Sequence, residues 1–291
     1  MSSPPSLRPI LAALLGVAAF SLMDAFMKGA SLAIGAYSAA LLRSALGVCL
    51  IAPVWLARGG RWPARRALRF HLVRGVVSAF MALSFFFALT RLPLAETIAI
   101  SFFAPILSLY LAAIVLKETI RPGAIVAGLF GLAGTLVIVG GRIGREALDD
   151  GAAAGLAAIL FSALLYAYNL ILARQQAQHA GPLEIASFHS GVGALVLAIA
   201  APWLLVLPDM PTLGAIGAAS LLTVIAAALL GWANAREEAQ VLVAMEYSGF
   251  LWAALFGWLF FAETVTPTVL MGTLLIVIGC AIATRRSPRP R

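Results

Sequence analysis

Residues 97–116, TIAISFFAPILSLYLAAIVL, form an unbroken apolar stretch without a single charged side chain. A helix of about 20 such residues is long enough to cross the ~30 Å hydrocarbon core of a bilayer. Residues 151–173 and 210–235 are also free of Asp, Glu, Lys and Arg. These stretches predict helices that span a membrane.

The whole chain has the composition of a membrane protein. Of its 291 residues, 62% are hydrophobic and 11% are charged, whereas about 25% of the residues in a soluble domain are charged. The net charge of +8 would suit a nucleic-acid-binding protein, but such a protein needs a polar surface on which to display it. We therefore expect a lipid bilayer around the chain and no nucleic-acid partner.

Further apolar stretches are separated by short connectors rich in Pro, Gly and Arg. Together they predict an all-α integral membrane protein with ten transmembrane helices. The predicted spans are 9–30, 36–57, 71–90, 95–116, 122–141, 151–173, 184–207, 212–234, 239–262 and 266–284. The connectors leave no room for a soluble catalytic domain.

The sequence repeats itself at an offset of 145 residues. Residues 118–122, ETIRP, fall on residues 263–267, ETVTP, and residues 11–15 fall on residues 156–160. This similarity predicts two halves of five helices each, residues 1–145 and 146–291. Because five is odd, the second half enters the membrane inverted, which is a common architecture of secondary transporters.

The positions of the basic residues predict the orientation of the chain. If both termini are cytoplasmic, most Lys and Arg fall on the cytoplasmic side, as the positive-inside rule requires. The largest cytoplasmic group is the run of arginines from Arg58 to Arg74. We therefore predict cytoplasmic N- and C-termini.

Three stretches resemble the EamA-type drug/metabolite transporters: residues 88–105, residues 128–134 and residues 246–257. The resemblance covers nearly the whole chain and is strongest to bacterial exporters of amino acids and metabolites, including aromatic amino acids. It implies a ten-helix carrier of the bacterial inner membrane, with a central cavity between the halves. It also implies a monomer with a small-molecule substrate and no cofactor.

Three charged residues fall inside predicted spans, where a charge is costly and therefore a candidate for function. Arg43 either binds a substrate carboxylate or pairs with Asp24, and Asp24 alternatively pairs with Lys28 one turn away. Glu246 has no basic residue in its own span, so it is either a proton carrier or a neutral group bonded to a neighbouring helix. We treat Glu246 and Asp24 as candidate proton-coupling residues.

Residues related by the repeat would line a cavity on a pseudo-twofold axis. Asn169 is the repeat partner of Asp24, and Ser101 is the partner of Glu246. Aromatic residues complete the predicted cavity lining: the repeat partners Phe102 and Tyr247, the repeat partners Phe87 and Trp232, and Tyr166, Tyr168 and Trp252 nearby. Each of them is alternatively a packing residue. Pro105 would free a backbone carbonyl and kink its helix, as a gate or as a structural feature.

These residues favour a secondary transporter that exports small organic solutes, including aromatic and apolar amino acids. A broad-specificity drug exporter is the near alternative, and a passive channel or an intramembrane enzyme would be a different class. The enzyme is disfavoured because no second buried Asp and no clustered metal ligands occur. The absence of a Walker A motif disfavours ATP-driven transport by this chain itself. His71, His179 and His189 fall on separate elements, and Cys49 and Cys280 are interpreted as packing residues.

Overall fold

A computed structural model describes residues 7–115, 122–143, 150–236 and 245–284, and throughout these ranges the regular structure is helical, without a strand. The apolar stretches form helices because only a helix satisfies its backbone hydrogen bonds within one segment in lipid. The helices are α1 (Leu7–Ala57), α2 (Arg65–Leu89), α3 (Leu94–Ser101), α4 (Phe103–Val115), α5 (Pro122–Ile143), α6 (Asp150–Gln176), α7 (Pro182–Ala198), α8 (Ala201–Leu204), α9 (Met210–Asn234), α10 (Ser248–Phe261) and α11 (Pro267–Thr284).

The apolar character of the predicted spans is retained in the helices. Within the part of the chain that the structure describes, four ranges are long and apolar enough to cross a membrane: Leu7–Ala57, Arg65–Leu89, Gly151–Gln176 and Met210–Ala233. Large apolar side chains on the helices remain exposed, among them Leu195 at 71% and Trp258 at 63%. Such surfaces are unfavourable in water and suit contact with lipid. The motif at residues 118–121 lies outside the described residues, as does the side chain of Cys280.

Helix α1 contains two of the predicted spans, 9–30 and 36–57. Gly35 separates them with φ 81° and ψ 150°, a backbone conformation that is essentially restricted to glycine. The helical run therefore consists of two segments that meet at a break, where a β-carbon would be strained.

The predicted span 95–116 is divided between α3 and α4. The interruption falls at Phe102, one turn before Pro105, and Pro105 lies in the first turn of α4. A proline is tolerated in the first turn because the N–H that it lacks would have no partner within the helix. The interruption is mild, because Phe102 keeps a right-handed helical backbone conformation and its N–H still bonds to the Ile98 carbonyl.

The chain packs into two compact units, and each takes segments from both halves of the sequence. Unit 1 consists of Met1–Leu22, Pro93–Asp149 and Leu222–Arg291, and unit 2 consists of Met23–Leu92 and Asp150–Leu221. In unit 1, α5 packs against α11 and α3 packs against α10. In unit 2, α2 packs against both α6 and α7.

Candidate functional site

In unit 2, three polar residues lie along one side of α2. His71, Arg74 and Ser78 are spaced by three and four residues, so they share a face of the helix. On α6, Asn169 and Gln176 are two turns apart and also share a face. These two polar faces meet where α2 packs against α6.

A continuous chain of hydrogen bonds joins these faces to α7. Glu184 Oε1 lies 2.9 Å from His71 Nε2, and Gln176 Nε2 lies 2.6 Å from His71 Nδ1. Arg74 then donates to both α6 amides, through Nη1 to Gln176 Oε1 at 2.5 Å and through Nε to Asn169 Oδ1 at 2.9 Å. We call the set Glu184, His71, Gln176, Arg74 and Asn169 the α2–α6–α7 network.

The α2–α6–α7 network is largely buried. His71 is 1% exposed, Gln176 is 1% exposed and Asn169 is 5% exposed. Ser78 adds a hydrogen bond of 3.2 Å from its hydroxyl to Asn169 Oδ1, and the His71 ring stacks on Phe188 at 4.5 Å between centroids. Buried polar groups that are bonded in this way hold one another in a defined arrangement.

A glycine on α2 allows α7 to approach this network. Gly75 lies so close to Val192 that an added β-carbon would be 2.4 Å from Val192 Cγ1. Real β-carbons do not approach so closely, so a side chain here would separate the two helices. The Glu184–His71 contact therefore depends on a small residue one turn further along α2.

Arg43, Asp24 and His189 form the second polar feature of unit 2. The charges of Asp24 and Arg43 act on one another, and His189 lies within the fields of both Arg43 and Arg74. The Arg43 guanidinium also lies 5.4 Å from the centroid of the Phe86 ring, a cation–π distance. Within the described ranges, neither Arg43 Nε nor His189 Nδ1 has a hydrogen-bond partner, although both atoms are buried.

Lys28, the alternative partner of Asp24, is engaged elsewhere. Its ammonium donates a hydrogen bond of 2.7 Å to the Leu92 carbonyl, and the residue is 5% exposed. The electrostatic interaction that acts on Asp24 comes instead from Arg43. Unit 2 thus holds two arginines and a histidine near one another, with Asp24 as a nearby anion.

In unit 1, two of the predicted cavity residues are in contact. Phe102 and Tyr247 form an edge-to-face pair with centroids 5.6 Å apart, a favourable aromatic geometry. Gly249, two residues after Tyr247, accepts a hydrogen bond of 3.3 Å from the Ser21 hydroxyl. The turns at the end of α3 and the start of α10 therefore bring one residue from each predicted half together.

Glu246 and Ser101 occupy the same turns of unit 1. Glu246 precedes α10 and is exposed, and the Ser101 hydroxyl donates to the Ile98 carbonyl at 2.7 Å. Ser101 therefore satisfies its own hydroxyl within α3. The roles predicted for Glu246 and Ser101 stay predictions.

The remaining predicted aromatic residues are distributed over both units. The Arg91 guanidinium lies 5.6 Å from the Phe87 ring, and that of Arg236 lies 4.3 Å from the Trp232 ring. Trp252 stacks on Phe256 within α10. On α6, Tyr166 is 37% exposed and Tyr168 is half-buried.

Four residues of the α2–α6–α7 network are absent from the sequence-based site: His71, Arg74, Gln176 and Glu184. The positive-inside rule places Arg74 in the cytoplasmic run of arginines, whereas the structure shows it half-buried within α2. The signal that could have identified it is the polar face formed by His71, Arg74 and Ser78 in an otherwise apolar helix. Among the described residues, no group of three His, Cys, Asp or Glu could hold a metal ion.

The comparisons with known proteins agree on the class of molecule. Two relatives, each named pseudopaline exporter CntI, come from Pseudomonas aeruginosa strains UCBPP-PA14 and PAO1. They are 29% and 27% identical to this chain, and each alignment covers 95% of both proteins. A solved structure, described only as the crystal structure of a protein, has a TM-score of 0.63 at 23% identity and covers 94% of this chain and 96% of its own. That last likeness concerns the fold alone.

The family comparison covers most of the chain. The model of the EamA-like transporter family matches residues 7–140 and again residues 153–285. This match confirms the family predicted from the sequence, and the relatives are exporters rather than enzymes. With its apolar helices, the chain is a multi-pass membrane protein. It belongs to the EamA-like transporter family.

Proposed function

We propose that this protein is a secondary transporter that exports small organic solutes bearing a carboxylate, with aromatic and apolar amino acids as the leading class. It would work by alternating access through a central cavity between two inverted five-helix repeats, residues 1–145 and 146–291. The two separate matches to the family model support this arrangement. The proposed location is the bacterial inner membrane, with ten spans, both termini cytoplasmic and the monomer as the working unit.

The observation that carries the substrate class is the state of Arg43. Its guanidinium stacks on Phe86, and its Nε has no hydrogen-bond partner among the described residues. A buried guanidinium normally uses its planar donors on a carboxylate or phosphate. Arg43 and Arg74 both act on His189, and the two arginine charges outnumber the one carboxylate of Asp24, which favours an anionic group of the substrate.

Unit 1 by itself contains an aromatic pair. The edge-to-face pair of Phe102 and Tyr247 offers an apolar surface with one polar hydroxyl. A side chain without charge would pack on such a surface with little desolvation cost. This surface supports aromatic and apolar side chains as part of the proposed substrate class.

Two carboxylates are the proposed sites of coupling to protons, Glu246 and Asp24. Glu246 is exposed just before α10, and Asp24 faces the charge of Arg43. Binding of a substrate carboxylate to Arg43 would compete with Asp24 and change its preference for a proton.

The experiment is a transport panel in proteoliposomes with and without a pH gradient. The panel contains L-phenylalanine, L-leucine, pseudopaline because two relatives are named for its export, and a lipophilic cation. We expect saturable counterflow of the amino acids, and a fall in that transport for Arg43→Gln. The loss of a charge-assisted bond of about 1.5–3 kcal/mol corresponds to a rise in KM of roughly 10- to 100-fold.

Arg66→Gln is the matched control, because Arg66 is an exposed arginine in the first turn of α2. It should transport like the unchanged protein. Transport of the cation alone would favour the broad-specificity drug exporter, and unsaturable flux would favour a channel. Equal KM values for Arg43→Gln and Arg66→Gln would disprove the role of Arg43.

A further inference from the structure

The hydrogen-bond chemistry of the α2–α6–α7 network fixes where its protons lie. An arginine only donates hydrogen bonds, so the Gln176 atom that faces Arg74 must be its oxygen. The Gln176 nitrogen then faces His71 Nδ1 and donates to it. Since Nδ1 accepts, the single proton of neutral His71 is on Nε2 and is donated to the Glu184 carboxylate.

A second proton on His71 cannot be accommodated by this arrangement. It would occupy Nδ1 and turn that atom into a donor that faces the donor nitrogen of Gln176. The Gln176 amide would have to turn over so that its oxygen accepts from Nδ1–H. Its nitrogen would then face Arg74 Nη1, and the Arg74–Gln176 hydrogen bond would be lost.

We propose that His71 and Gln176 form a proton-dependent latch that holds or releases Arg74 for binding of the substrate carboxylate. With His71 neutral, Gln176 Oε1 and Asn169 Oδ1 both hold Arg74. With His71 carrying a second proton taken from water, Nη1 is released and only the bond from Nε to Asn169 remains. This inference rests on the proposed function, in which the substrate carries a carboxylate.

Arg74 is placed for this role in the same region as Arg43. Its charge and that of Arg43 both act on His189, so the three groups share one region. Among the described residues, no carboxylate contacts Arg74, whose hydrogen bonds go to neutral amides. A guanidinium without an anionic partner in an apolar helix is a ready site for an anionic ligand.

The charged groups around His71 are compatible with a switch at this residue. Of the two helices packed against α2, α7 contributes Glu184 and His189, and α6 contributes Arg174, which is exposed. On α2, Arg74 is one turn away, and Arg65, Arg66 and Arg69 are exposed. Glu184 is partly exposed at the start of α7 and contacts His71 Nε2.

Histidine is the side chain whose charge changes most readily between pH 5 and 8. Because proton binding releases Arg74, the two events are linked, and substrate affinity should rise when His71 takes up its second proton. The gain is present while His71 carries two protons and is lost once it carries one. Acidification would therefore favour loading of the transporter with a carboxylate.

The first test observes the latch without any substrate. The full chain is placed in lipid nanodiscs with ¹⁵N-labelled histidine and arginine side chains, and it is titrated from pH 8 to pH 5 by NMR. Loss of one signal in His71→Gln and of one in Arg74→Lys assigns the two residues. We expect His71 as the Nε2–H form at pH 8, and a shift of the Arg74 Nε signal with the same midpoint as His71.

Two variants separate the latch from a direct effect of charge. In Gln176→Ala the His71 titration should remain while the coupled Arg74 step is lost. The control His179→Gln alters a histidine outside the network, whose Nδ1 pairs with the Gln175 carbonyl, and it should keep both steps. An Arg74 signal that stays constant while His71 titrates, or a coupled step that survives in Gln176→Ala, would overturn the latch.

The second test links the latch to transport. The probe is L-phenylalanine, whose carboxylate stays ionised between pH 6 and pH 8. Its KM should be lower at pH 6 than at pH 8 by roughly fivefold or more in the unchanged protein, and equal at both values in Gln176→Ala. Saturable transport with a pH-independent KM would reject the latch and leave the proposed function standing. If no carboxylate is transported, the proposed function fails, and the NMR titration still decides whether the latch exists.

Discussion

The carboxylate of Glu263 accepts a hydrogen bond from the backbone nitrogen of Leu94, and the two atoms are 2.7 Å apart. Leu94 is the first residue of α3, whose early N–H groups have no partner within the helix. Ala262 ends α10 in the left-handed conformation, with φ 54°, and so turns the chain back toward α3. A carboxylate at a helix N-terminus also interacts favourably with the helix dipole. Glu263 therefore joins two helices of unit 1 that are distant in sequence.

Removal of this cap should destabilise unit 1. We expect Glu263→Ala to lower the free energy of unfolding by about 1–2 kcal/mol, because the Leu94 N–H and its neighbours lose an anionic acceptor. Glu263→Gln keeps an acceptor oxygen but not the charge, so its effect should be smaller. The measurement is equilibrium unfolding of the purified protein in one detergent. Equal stability of Glu263→Ala and the unchanged protein would show that the cap contributes nothing.

The break in α1 gives a second prediction. Gly35 has φ 81°, and an added β-carbon there would meet no atom within 4 Å, so backbone strain alone decides the outcome. Gly35→Ala should cost about 1–2 kcal/mol. Gly29 lies in the same helix, also with open space around it and without a positive φ, so Gly29→Ala should be neutral or slightly stabilising.

Thermal unfolding of these two variants in the same detergent provides the comparison. A lower melting temperature for Gly35→Ala than for Gly29→Ala is the expected order. If both alanines have the same effect, the two segments of α1 form one regular helix in solution, and the break is wrong.

The resemblance at residues 88–105, 128–134 and 246–257 predicted the family. Composition and the apolar stretches were sufficient to predict the membrane class and the helical fold. The membrane class and the helical fold depend on the hydrophobicity of many residues together. The apolar stretches at residues 97–116 and 151–173 are long enough to predict membrane-spanning helices. The repeat related Phe102 to Tyr247 by a constant offset, and the contact between their rings is a finding of the structure. The division into repeats itself remains a prediction.

The α2–α6–α7 network could not be predicted in the same way. Arg74 and Asn169 are 95 residues apart, and nothing in the local sequence of α2 indicates which helix will pack against it. A basic residue near the end of a span is also expected to reach the interface. The long-range contact with Asn169 and Gln176, rather than the position of Arg74 in the chain, determines that it is held within the unit.

A close contact between the backbones of α5 and α11 in unit 1 leads to a third prediction. An added β-carbon on Gly134 of α5 would lie 2.5 Å from the carbonyl oxygen of Gly272 on α11, and the reverse distance is also 2.5 Å. Because the obstacle is backbone, it cannot move without separating the helices. Gly134→Ala should therefore destabilise the protein by about 1–3 kcal/mol.

Gly140 on the same helix supplies the control, since an added β-carbon there would meet nothing within 4 Å. Gly140→Ala should be neutral or stabilising by up to about 1 kcal/mol. The two variants are compared by melting temperature and by recovery as a single species in size-exclusion chromatography. A Gly134→Ala protein as stable as Gly140→Ala would mean that α5 and α11 are not in backbone contact.

The last prediction concerns the acceptor that holds Arg74 in both states of the latch. Asn169 Oδ1 receives bonds from Arg74 Nε and from the Ser78 hydroxyl. Asn169→Leu would leave the buried guanidinium with one fewer hydrogen-bond partner. We expect it to lower the free energy of unfolding by about 1.5–3 kcal/mol, the contribution of a bond to a charged group.

Asn169→Asp should fold at least as well as the unchanged protein, because its carboxylate pairs with Arg74. It should also transport carboxylates poorly, since that pair competes with the substrate. Ser78→Ala removes only the neutral bond and should cost about 0.5–1.5 kcal/mol. Unfolding in detergent measures the stabilities, and L-phenylalanine counterflow measures transport. If Asn169→Asp both folds and transports like the unchanged protein, Arg74 does not bind the substrate, and the bonds from Asn169 serve packing alone.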